Sequence, residues 1–144
     1  MWVNRLLESR PRQALELAAK FAEERHKVLA ENAANIDVPD YHAKRLDGAS
    51  FQRALSRAID DSQRAGREAL NLRGEAQVST DSGGKLRARP KREPAQNVLF
   101  HDGTNARLET LAADAQENAL SYQMAMNLLK SQFNDLLTAI RGKL

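Results

Sequence analysis

Apolar residues recur at steps of three and four over the last forty residues of the chain, which is the spacing of a helical stripe. The stripe consists of Leu108, Leu111, Ala115, Asn118, Tyr122, Met126, Leu129, Phe133, Leu136 and Ile140. This is the pattern of a coiled-coil seam with one extra four-residue step, from Tyr122 to Met126. No proline or glycine interrupts 105–141, so we expect one long helix there. A helix of that length cannot fold back on itself, and other helices must cover its stripe.

A second apolar stripe lies near the N-terminus. It consists of Leu17, Phe21 and Val28, with Ala14, Ala18, Leu29 and Asn32 beside them. The spacing predicts a helix over about 11–35. Pro11 suits the first turn of this helix, and Pro39 ends it because the residue before a proline avoids the helical conformation.

The middle of the chain has a weaker pattern. Apolar positions over 51–59 predict a short amphipathic helix with Ser50 as its cap, which extends to about Leu70. Residues 73–96 combine glycine, serine and proline with a run of basic residues. We expect this segment to be flexible and to contribute nothing to a core.

These elements predict an all-α fold. The long N- and C-terminal helices pair as a coiled-coil-like bundle, and the middle segment between them is flexible and largely irregular. Both stripes are wider than a two-stranded seam requires, which indicates contact with several helices. The predicted division is an N-terminal helix and turn at 1–47, a short amphipathic helix at 48–72, a flexible basic linker at 73–96 and a long helix at 97–144. We expect the two ends to form one assembly domain.

The composition argues against an enzyme. The chain contains no cysteine, which excludes disulfides, a thiol nucleophile and cysteine-based zinc sites. Its three histidines are far apart in sequence, and none has metal-ligand spacing. Adjacent carboxylates such as Asp60 and Asp61 point about 100° apart on a helix, so they do not form a catalytic pair. We therefore expect no catalytic residue, no cofactor and no metal.

The charge leaves one alternative open. The net charge is +3, and five basic residues between Lys85 and Arg92 could contact nucleic acid or anionic lipid. No aromatic residue interleaves with them, so a stacking platform for bases is missing, and a solvated linker is the favoured interpretation over a nucleic-acid-binding coiled coil. No apolar run is long enough to cross a bilayer, and the N-terminus lacks the apolar core of a cleaved signal peptide.

The segment after the first predicted helix carries a recognisable motif. It runs Glu31-Asn32-Ala33-Ala34-Asn35-Ile36-Asp37-Val38-Pro39-Asp40-Tyr41-His42. It resembles the N-terminal signature of bacterial flagellar rod and hook proteins, Ser-Asn-Ile-Ala-Asn-x-x-Thr-Pro-Gly-Tyr-Lys. The residues that match are Asn32, Ala34, Asn35, Pro39 and Tyr41. Asp40 replaces the signature's glycine, and aspartate tolerates a left-handed turn better than most residues.

The C-terminal half is similar to the short proximal-rod members of the same family, which have no inserted outer domain. The similar stretches are Asp102-Gly103-Thr104-Asn105, then Glu117-Asn118-Ala119-Leu120-Ser121-Tyr122-Gln123, and a closing Phe133-Asn-Asp-Leu-Leu-Thr-Ala-Ile-Arg-Gly. The resemblance covers 13–47 and 97–143, and the segment 60–96 matches no pattern of the family. Both motifs in this order and at this chain length make the resemblance fairly specific.

The resemblance implies a structural subunit of the flagellar basal body that self-associates in a helical assembly. Its expected partners are other rod proteins, the MS ring and the flagellar type III export apparatus, with no nucleic acid and no membrane insertion. Its expected location is the periplasm-spanning rod, reached without a cleaved signal peptide. The alternative is a soluble helical adaptor or chaperone that binds one partner through the same apolar seam.

The expected assembly interface combines the two stripes with the signature turn. It comprises Leu17, Phe21, Val28, Asn32, Asn35, Pro39, Tyr41, Leu111, Tyr122, Met126, Leu129, Phe133, Leu136 and Ile140. The apolar members are expected to form the packing between subunits. Asn32, Asn35 and Tyr41 are expected to set the angle at which the first helix leaves this packing.

Overall fold

Three helices and four short strands make up the described part of the computed structural model, which covers residues 9–93 and 101–142. The helices are α1 (Ser9–Ala34), α2 (Gly48–Arg64) and α3 (His101–Ile140). The strands are β1 (Lys44–Arg45) between α1 and α2, followed after α2 by β2 (Val78–Thr80), β3 (Leu86–Ala88) and β4 (Lys91–Arg92). Within these ranges no helix combines the length and apolar character needed to span a membrane.

Helix α2 begins at a side-chain cap. The carboxylate of Asp47 accepts hydrogen bonds from the backbone N–H groups of Ala49 (3.3 Å) and Ser50 (3.1 Å), which have no partner inside the helix. The Ser50 hydroxyl also donates to this carboxylate at 2.8 Å. This hydroxyl, together with the two N–H groups, holds the pKa of Asp47 below its ordinary value. The cap is therefore Asp47, three residues before the predicted Ser50.

The main core lies between α1, α2 and the hairpin formed by β2 and β3. Its buried residues are Leu17, Phe21, Val28, Leu46, Phe51, Ala54, Ala58, Leu70, Leu72 and Val78. At its centre the rings of Phe21 and Phe51 stack with their centroids 4.3 Å apart and their planes 8° from parallel. Leu72 and Val78 are 0% and 1% exposed, so the segment after α2 contributes some of the most deeply buried side chains.

Two antiparallel strand pairs organise this middle segment. Strand β2 pairs with β3, and β1 pairs with β4 so that Lys44 lies opposite Arg92. The loop between β2 and β3 closes on Asp81, whose carboxylate accepts from the backbone N–H groups of Gly83 (3.0 Å) and Lys85 (2.9 Å). The Lys85 N–H makes the largest contribution to a lowered pKa for Asp81.

The fold is mostly helical, as predicted, but it is not all-α. The predicted irregular segment at 73–96 contains β2, β3 and β4 within its described residues, and Val78 lies in the core. Strands of two or three residues are too short to show a period-2 pattern, and each forms because a partner strand supplies its hydrogen bonds. The division into four segments stays a prediction, since 1–8, 94–100 and 143–144 lie outside the described residues.

The long helix α3 packs on α1 and on no other described element. Asn118 contacts Ala22, whereas Asp114 contacts Arg25. The residue that comes earlier in α3 therefore meets the residue that comes later in α1, so the two helices run antiparallel. Counting from the Ala22–Asn118 contact places position 131 opposite Ser9. Helix α1 is thus the central element, with the core layer on one side and α3 on another.

Candidate assembly interface

The signature segment folds into a turn held by one side chain. The Nδ2 of Asn32 donates to the backbone oxygen of Lys44 at 2.7 Å, and the backbone N–H of Lys44 donates to Asn32 Oδ1 at 2.9 Å. Asn32 therefore pairs with the main chain of β1 as a neighbouring strand would. This pair connects the last turn of α1 to the start of β1, and it fixes where the chain goes after the helix.

Tyr41 completes the turn. Its hydroxyl donates to Asn32 Oδ1 at 3.1 Å, and partial burial, followed by the nearby Glu31 carboxylate, raises the pKa of Tyr41. Lys44 forms an ion pair with Glu31 at 2.5 Å. Asp40 adopts the left-handed conformation with φ of 59°, at the position where the family signature has glycine.

The remaining signature residues have smaller roles in the turn. The Nδ2 of Asn35 donates to the backbone oxygen of Glu31 at 2.7 Å, and this oxygen also accepts the backbone N–H of Asn35 at 3.2 Å, so the side chain reinforces the last turn of α1. Pro39 is exposed in the turn between α1 and β1. The prediction that Asn32, Asn35 and Tyr41 set the angle at which the first helix leaves the packing between subunits stays a prediction. In this geometry Asn32 and Tyr41 fix the path of the chain after α1, whereas Asn35 acts within its own helix end.

The N-terminal apolar stripe is covered by the chain itself. Leu17, Phe21 and Val28 are all buried in the main core, where they contact α2 and the hairpin. They are not available to a neighbouring subunit in this structure, contrary to the expected uncovered stripe. The physical reason is that the middle segment, expected to be core-free, folds over them.

A second buried face of α1 was not predicted as part of the site. Ala19, Ala22 and Leu29 are buried, yet they lie outside the main core and on a different side of α1 from Leu17. Asn118 of α3 is 3% exposed and donates from Nδ2 to the Ala22 backbone oxygen at 2.8 Å. Two of its three apolar residues are alanines, which a search for large apolar side chains overlooks.

The seam of α3 follows a regular heptad rather than the predicted pattern. Buried or half-buried positions recur as Leu111, Asn118, Ala125, Gln132 and Ala139, and as Ala115, Leu129 and Leu136. The predicted seam leaves the contact side of α3 at Met126, because a four-residue step from Tyr122 selects a large apolar residue. Ala125 occupies that seam position instead, since a three-residue step after Tyr122 keeps the contact on one side of the helix.

The large apolar residues that the α1 contact leaves uncovered form an exposed apolar row along α3. Tyr122, Met126, Phe133 and Ile140 are 41%, 42%, 49% and 73% exposed, and Leu108 and Leu137 lie on the same side. A second exposed row, at four-residue spacing, consists of Leu120, Met124 and Leu128. We call these the first and second apolar rows of α3; they lie on different sides of the helix, flanking its contact with α1.

Ion pairs reinforce the α1–α3 contact beside Asn118. The guanidinium of Arg25, whose side chain is 15% exposed, lies 3.5 Å from Asp114 and 3.6 Å from Glu117. One arginine thus bridges two carboxylates one turn apart on α3. Together with Asn118, it selects one register between two helices whose apolar contact is otherwise mostly alanine and leucine.

Comparison with known proteins identifies the family. No protein-family model matches the chain. It is 30% identical over 130 residues to the flagellar basal body rod protein FlgB of Bacillus subtilis (strain 168), covering 90% of this chain and 92% of that protein. The chain belongs to the FlgB family of flagellar basal body rod proteins. FlgB of Cereibacter sphaeroides is 30% identical over 125 residues (84% of this chain, 86% of that protein), and FlgB of Salmonella typhimurium 27% over 138 residues (90% and 89%).

Membership of the FlgB family confirms the resemblance found from the two sequence motifs. FlgB proteins are structural components of the flagellar basal body rod, so the expected structural, non-enzymatic role is confirmed as well. The matched region spans nearly the whole chain, including the middle segment, which carries no motif of the family signature.

Proposed function

We propose that this FlgB-family chain is a subunit of the proximal rod. It polymerises through its terminal helices into the hollow shaft that joins the MS ring to the distal rod and hook. The observation that carries this proposal is the pair of exposed apolar rows on α3, which lie beside a helix pair already fixed in register.

The first apolar row has the chemistry of a subunit contact. Met126 and Phe133 stand seven residues apart on one side of α3, and each is nearly half exposed. Single exposed apolar residues are normal on protein surfaces, but a row along several helical turns marks an interaction surface. Burying each large apolar side chain contributes about 1.5–3 kcal/mol, so a few such contacts stabilise an assembly.

The two rows support a helical assembly rather than a closed dimer. They lie on different sides of α3, so one copy of the helix contacts a different neighbour on each side. Contacts between non-equivalent surfaces repeat from subunit to subunit and build open helical structures. In this proposal the first row carries Leu108, Tyr122, Met126, Phe133, Leu137 and Ile140, and the second carries Leu120, Met124 and Leu128.

The α1–α3 pair supplies the rigid support for these contacts. Regular heptad spacing along α3 supports a coiled-coil arrangement of the pair, with Leu111, Leu129 and Leu136 on the seam. The buried Asn118 and the Arg25 ion pairs then set how far each apolar row lies from the α1 end. In this proposal Leu17, Phe21 and Val28 contribute through the subunit core, and the Asn32–Tyr41 turn fixes how that core attaches to α1.

Family membership also supports the proposed location and partners. The chain takes its place in the periplasm-spanning rod, contacts other rod proteins and the MS ring, and is delivered by the flagellar export apparatus. The absence of cysteine is compatible with this route, since no disulfide has to form before or after export.

One observation favours the adaptor alternative, in which the chain is a soluble protein that binds a single partner. The N-terminal stripe is buried in the chain's own core, as expected for a protein that folds alone. Membership of a family of structural rod proteins weighs against this alternative. The two functions differ in one outcome: a rod subunit is recovered in purified basal bodies, whereas an adaptor is not.

The test replaces two residues of the first apolar row. Met126→Asp with Phe133→Asp should abolish rod assembly and swimming in cells lacking the native gene, because two carboxylates cannot be buried between subunits. The matched control is Asn127→Asp with Asn134→Asp, which adds the same charge at exposed positions facing away from α1. Normal swimming of the first variant, with the protein present in basal bodies, would refute the proposed interface.

A further inference from the structure

The positive charge of the chain is concentrated in one short segment. The stretch from Lys85 to Arg92 holds five basic residues and no acidic one. The chain has 22 basic and 19 acidic residues, so without these five the acidic residues would be in excess by two. The segment was expected to be a solvated linker, and the structure instead places it in β3 and β4.

Strand geometry fixes the direction of these cations. Leu86 and Ala88 pack against the core, and side chains alternate between the two faces of a strand. Arg87 therefore points outward. Lys85 and Arg89 flank β3 and continue its pairing, through the Asp81 N–H to the Lys85 oxygen (3.0 Å) and the Arg89 N–H to the Gln77 oxygen (2.8 Å), so the alternation extends to them. All three cations are exposed. Their Cα atoms repeat at about 6.6 Å, twice the rise per strand residue. The cations are held in place by the fold, so a partner does not have to order them.

The strand pair β1–β4 places further positive charges across from each other. Arg45 lies opposite Lys91, and Lys44 lies opposite Arg92. Like charges directly opposite on paired strands destabilise the pair. Glu31 and Glu93 form ion pairs with the two β1 residues, and Arg87 pairs with Asp81.

Four cations remain without such compensation. They are Lys85, Arg89, Lys91 and Arg92, for which no carboxylate of the described residues lies within ion-pair distance. We call these four cations the basic face. Lys91 and Arg92 are consecutive in β4 and project to opposite sides of that strand, so the group extends onto both sides of the β1–β4 pair. A partner that supplies carboxylates would compensate these charges.

We propose that the basic face binds an acidic surface of another protein in the basal body, with carboxylates two helical turns apart. Lys85 and Arg89 are four residues apart along an extended chain, about 13 Å, and positions i and i+8 of a helix are separated by about 12 Å along its axis. This surface goes beyond the proposed assembly interface, because α3 contacts only α1 among the described elements, whereas the hairpin packs on α1 and α2.

The surroundings of the basic face favour a protein partner over lipid or nucleic acid. The segment from Lys85 to Arg92 contains no aromatic residue on which a base could stack. Its one large apolar side chain, Leu86, packs against the core and is not available to enter a bilayer. The basic face offers exposed cations that the fold holds in place, and the ordered carboxylates of a protein surface fit such cations.

The first test measures binding of the full chain to a synthetic helical peptide with glutamate at i, i+4 and i+8. Replacing Lys85, Arg89, Lys91 and Arg92 by Gln should weaken binding at least tenfold and reduce its dependence on salt concentration. The matched control replaces four other exposed cations by Gln: Arg64, Arg67, Arg73 and Lys130. Equal loss in both variants would overturn the proposal, since net charge alone would explain binding.

A check on folding accompanies this test. The four Gln replacements remove like-charge repulsion, so the thermal midpoint should stay equal or rise. If the fourfold variant does not fold, Arg89→Gln with Lys91→Gln must by itself give a measurable loss of peptide binding, or the proposal fails. Met126→Asp with Phe133→Asp should bind the peptide as the wild type does, so a failed assembly interface would not be mistaken for a failed basic face.

The second test identifies the class of partner in cells. A photo-crosslinking residue at position 89 should join the chain to a flagellar protein at a site flanked by carboxylates. The same residue at position 64, on exposed α2, should not give this product. Adducts with lipid or nucleic acid at position 89, or no product specific to that position, would overturn the assignment of a protein partner.

Discussion

Asn32 pairs with the backbone of Lys44 in both directions, through a 2.7 Å bond to the Lys44 carbonyl oxygen and a 2.9 Å bond from the Lys44 N–H. The Asn32 side chain, on the last turn of α1, thus makes the pair of hydrogen bonds to β1 that the backbone of a neighbouring strand would make. The sequence motif shared with flagellar rod and hook proteins therefore has a concrete structural meaning: its first asparagine fixes the path of the chain out of the helix.

Asn32→Ala should lower the free energy of unfolding by about 1–3 kcal/mol, because two backbone groups of Lys44 and the Tyr41 hydroxyl lose their partner. Urea unfolding followed by circular dichroism measures the change. Asn35→Ala is the control, with an expected loss of about 1 kcal/mol or less, because Asn35 bonds only a helix-end carbonyl. Equal effects would show that Asn32 does not organise the turn.

Leu72→Ala should destabilise the chain by about 2–5 kcal/mol, since it empties a fully buried position of the core. Leu137→Ala, on the exposed first row of α3, should change stability by less than about 0.5 kcal/mol. Thermal unfolding of the two variants compares them directly. A small effect of Leu72→Ala would mean that the middle segment is not part of the core.

Stability should depend on pH through the cap of α2. The pKa of Asp47 is lowered in the folded state by the Ser50 hydroxyl and two backbone N–H groups, so its contribution is present above the ordinary carboxyl pKa of about 3.9. That contribution is lost as the pH falls through the lowered, folded-state value. The part of acid destabilisation due to Asp47 should be missing in Asp47→Asn, because an amide also caps but does not titrate in this range.

The control for this experiment is Asp47→Ala, which removes the cap at every pH. It should cost about 1 kcal/mol at neutral pH. Urea unfolding at a series of pH values measures all three chains. If Asp47→Asn and the wild type lose stability in parallel as the pH falls, the cap carboxylate does not contribute in the way described.

The two long helices were predictable because each carries many turns of consistent 3.6-residue spacing. The predicted range of about 11–35 compares with Ser9–Ala34, and 105–141 compares with His101–Ile140. The strands were not predictable, because β1 and β4 are two residues each and form only when Lys44–Arg45 meets Lys91–Arg92. That pairing joins segments 46 positions apart, and local propensity carries no information about it.

The placement of the candidate residues departs from the prediction for two reasons. The middle segment covers the N-terminal stripe, and on α3 the small Ala125 occupies the seam position predicted for the large Met126. Packing between two close helices favours small residues at the contact, and this leaves the larger neighbours exposed on either side. The signature motif contributes Asn32 and Tyr41, which are hydrogen-bonded to each other in the turn after α1, and their role in assembly stays a prediction.

Asn118→Asp should destabilise the chain by more than about 2 kcal/mol at neutral pH, because a carboxylate would face the Ala22 carbonyl oxygen in a buried position. The loss should decrease in acid, where a protonated carboxyl group can donate to that oxygen. Asn127→Asp, exposed on the same helix, is the matched control and should have little effect. Guanidinium unfolding of both variants at two pH values measures the destabilisation and its decrease in acid. Equal destabilisation by Asn118→Asp and Asn127→Asp would show that Asn118 does not contribute to the α1–α3 contact.

The central claim is that the first apolar row of α3 becomes covered when subunits assemble. The chain has no native cysteine, so a single Met126→Cys variant reports on this row alone. Its reaction with a maleimide should be fast in the purified chain and at least tenfold slower in isolated basal bodies, with full labelling after denaturation. Equal labelling rates in the free and assembled protein would contradict the account.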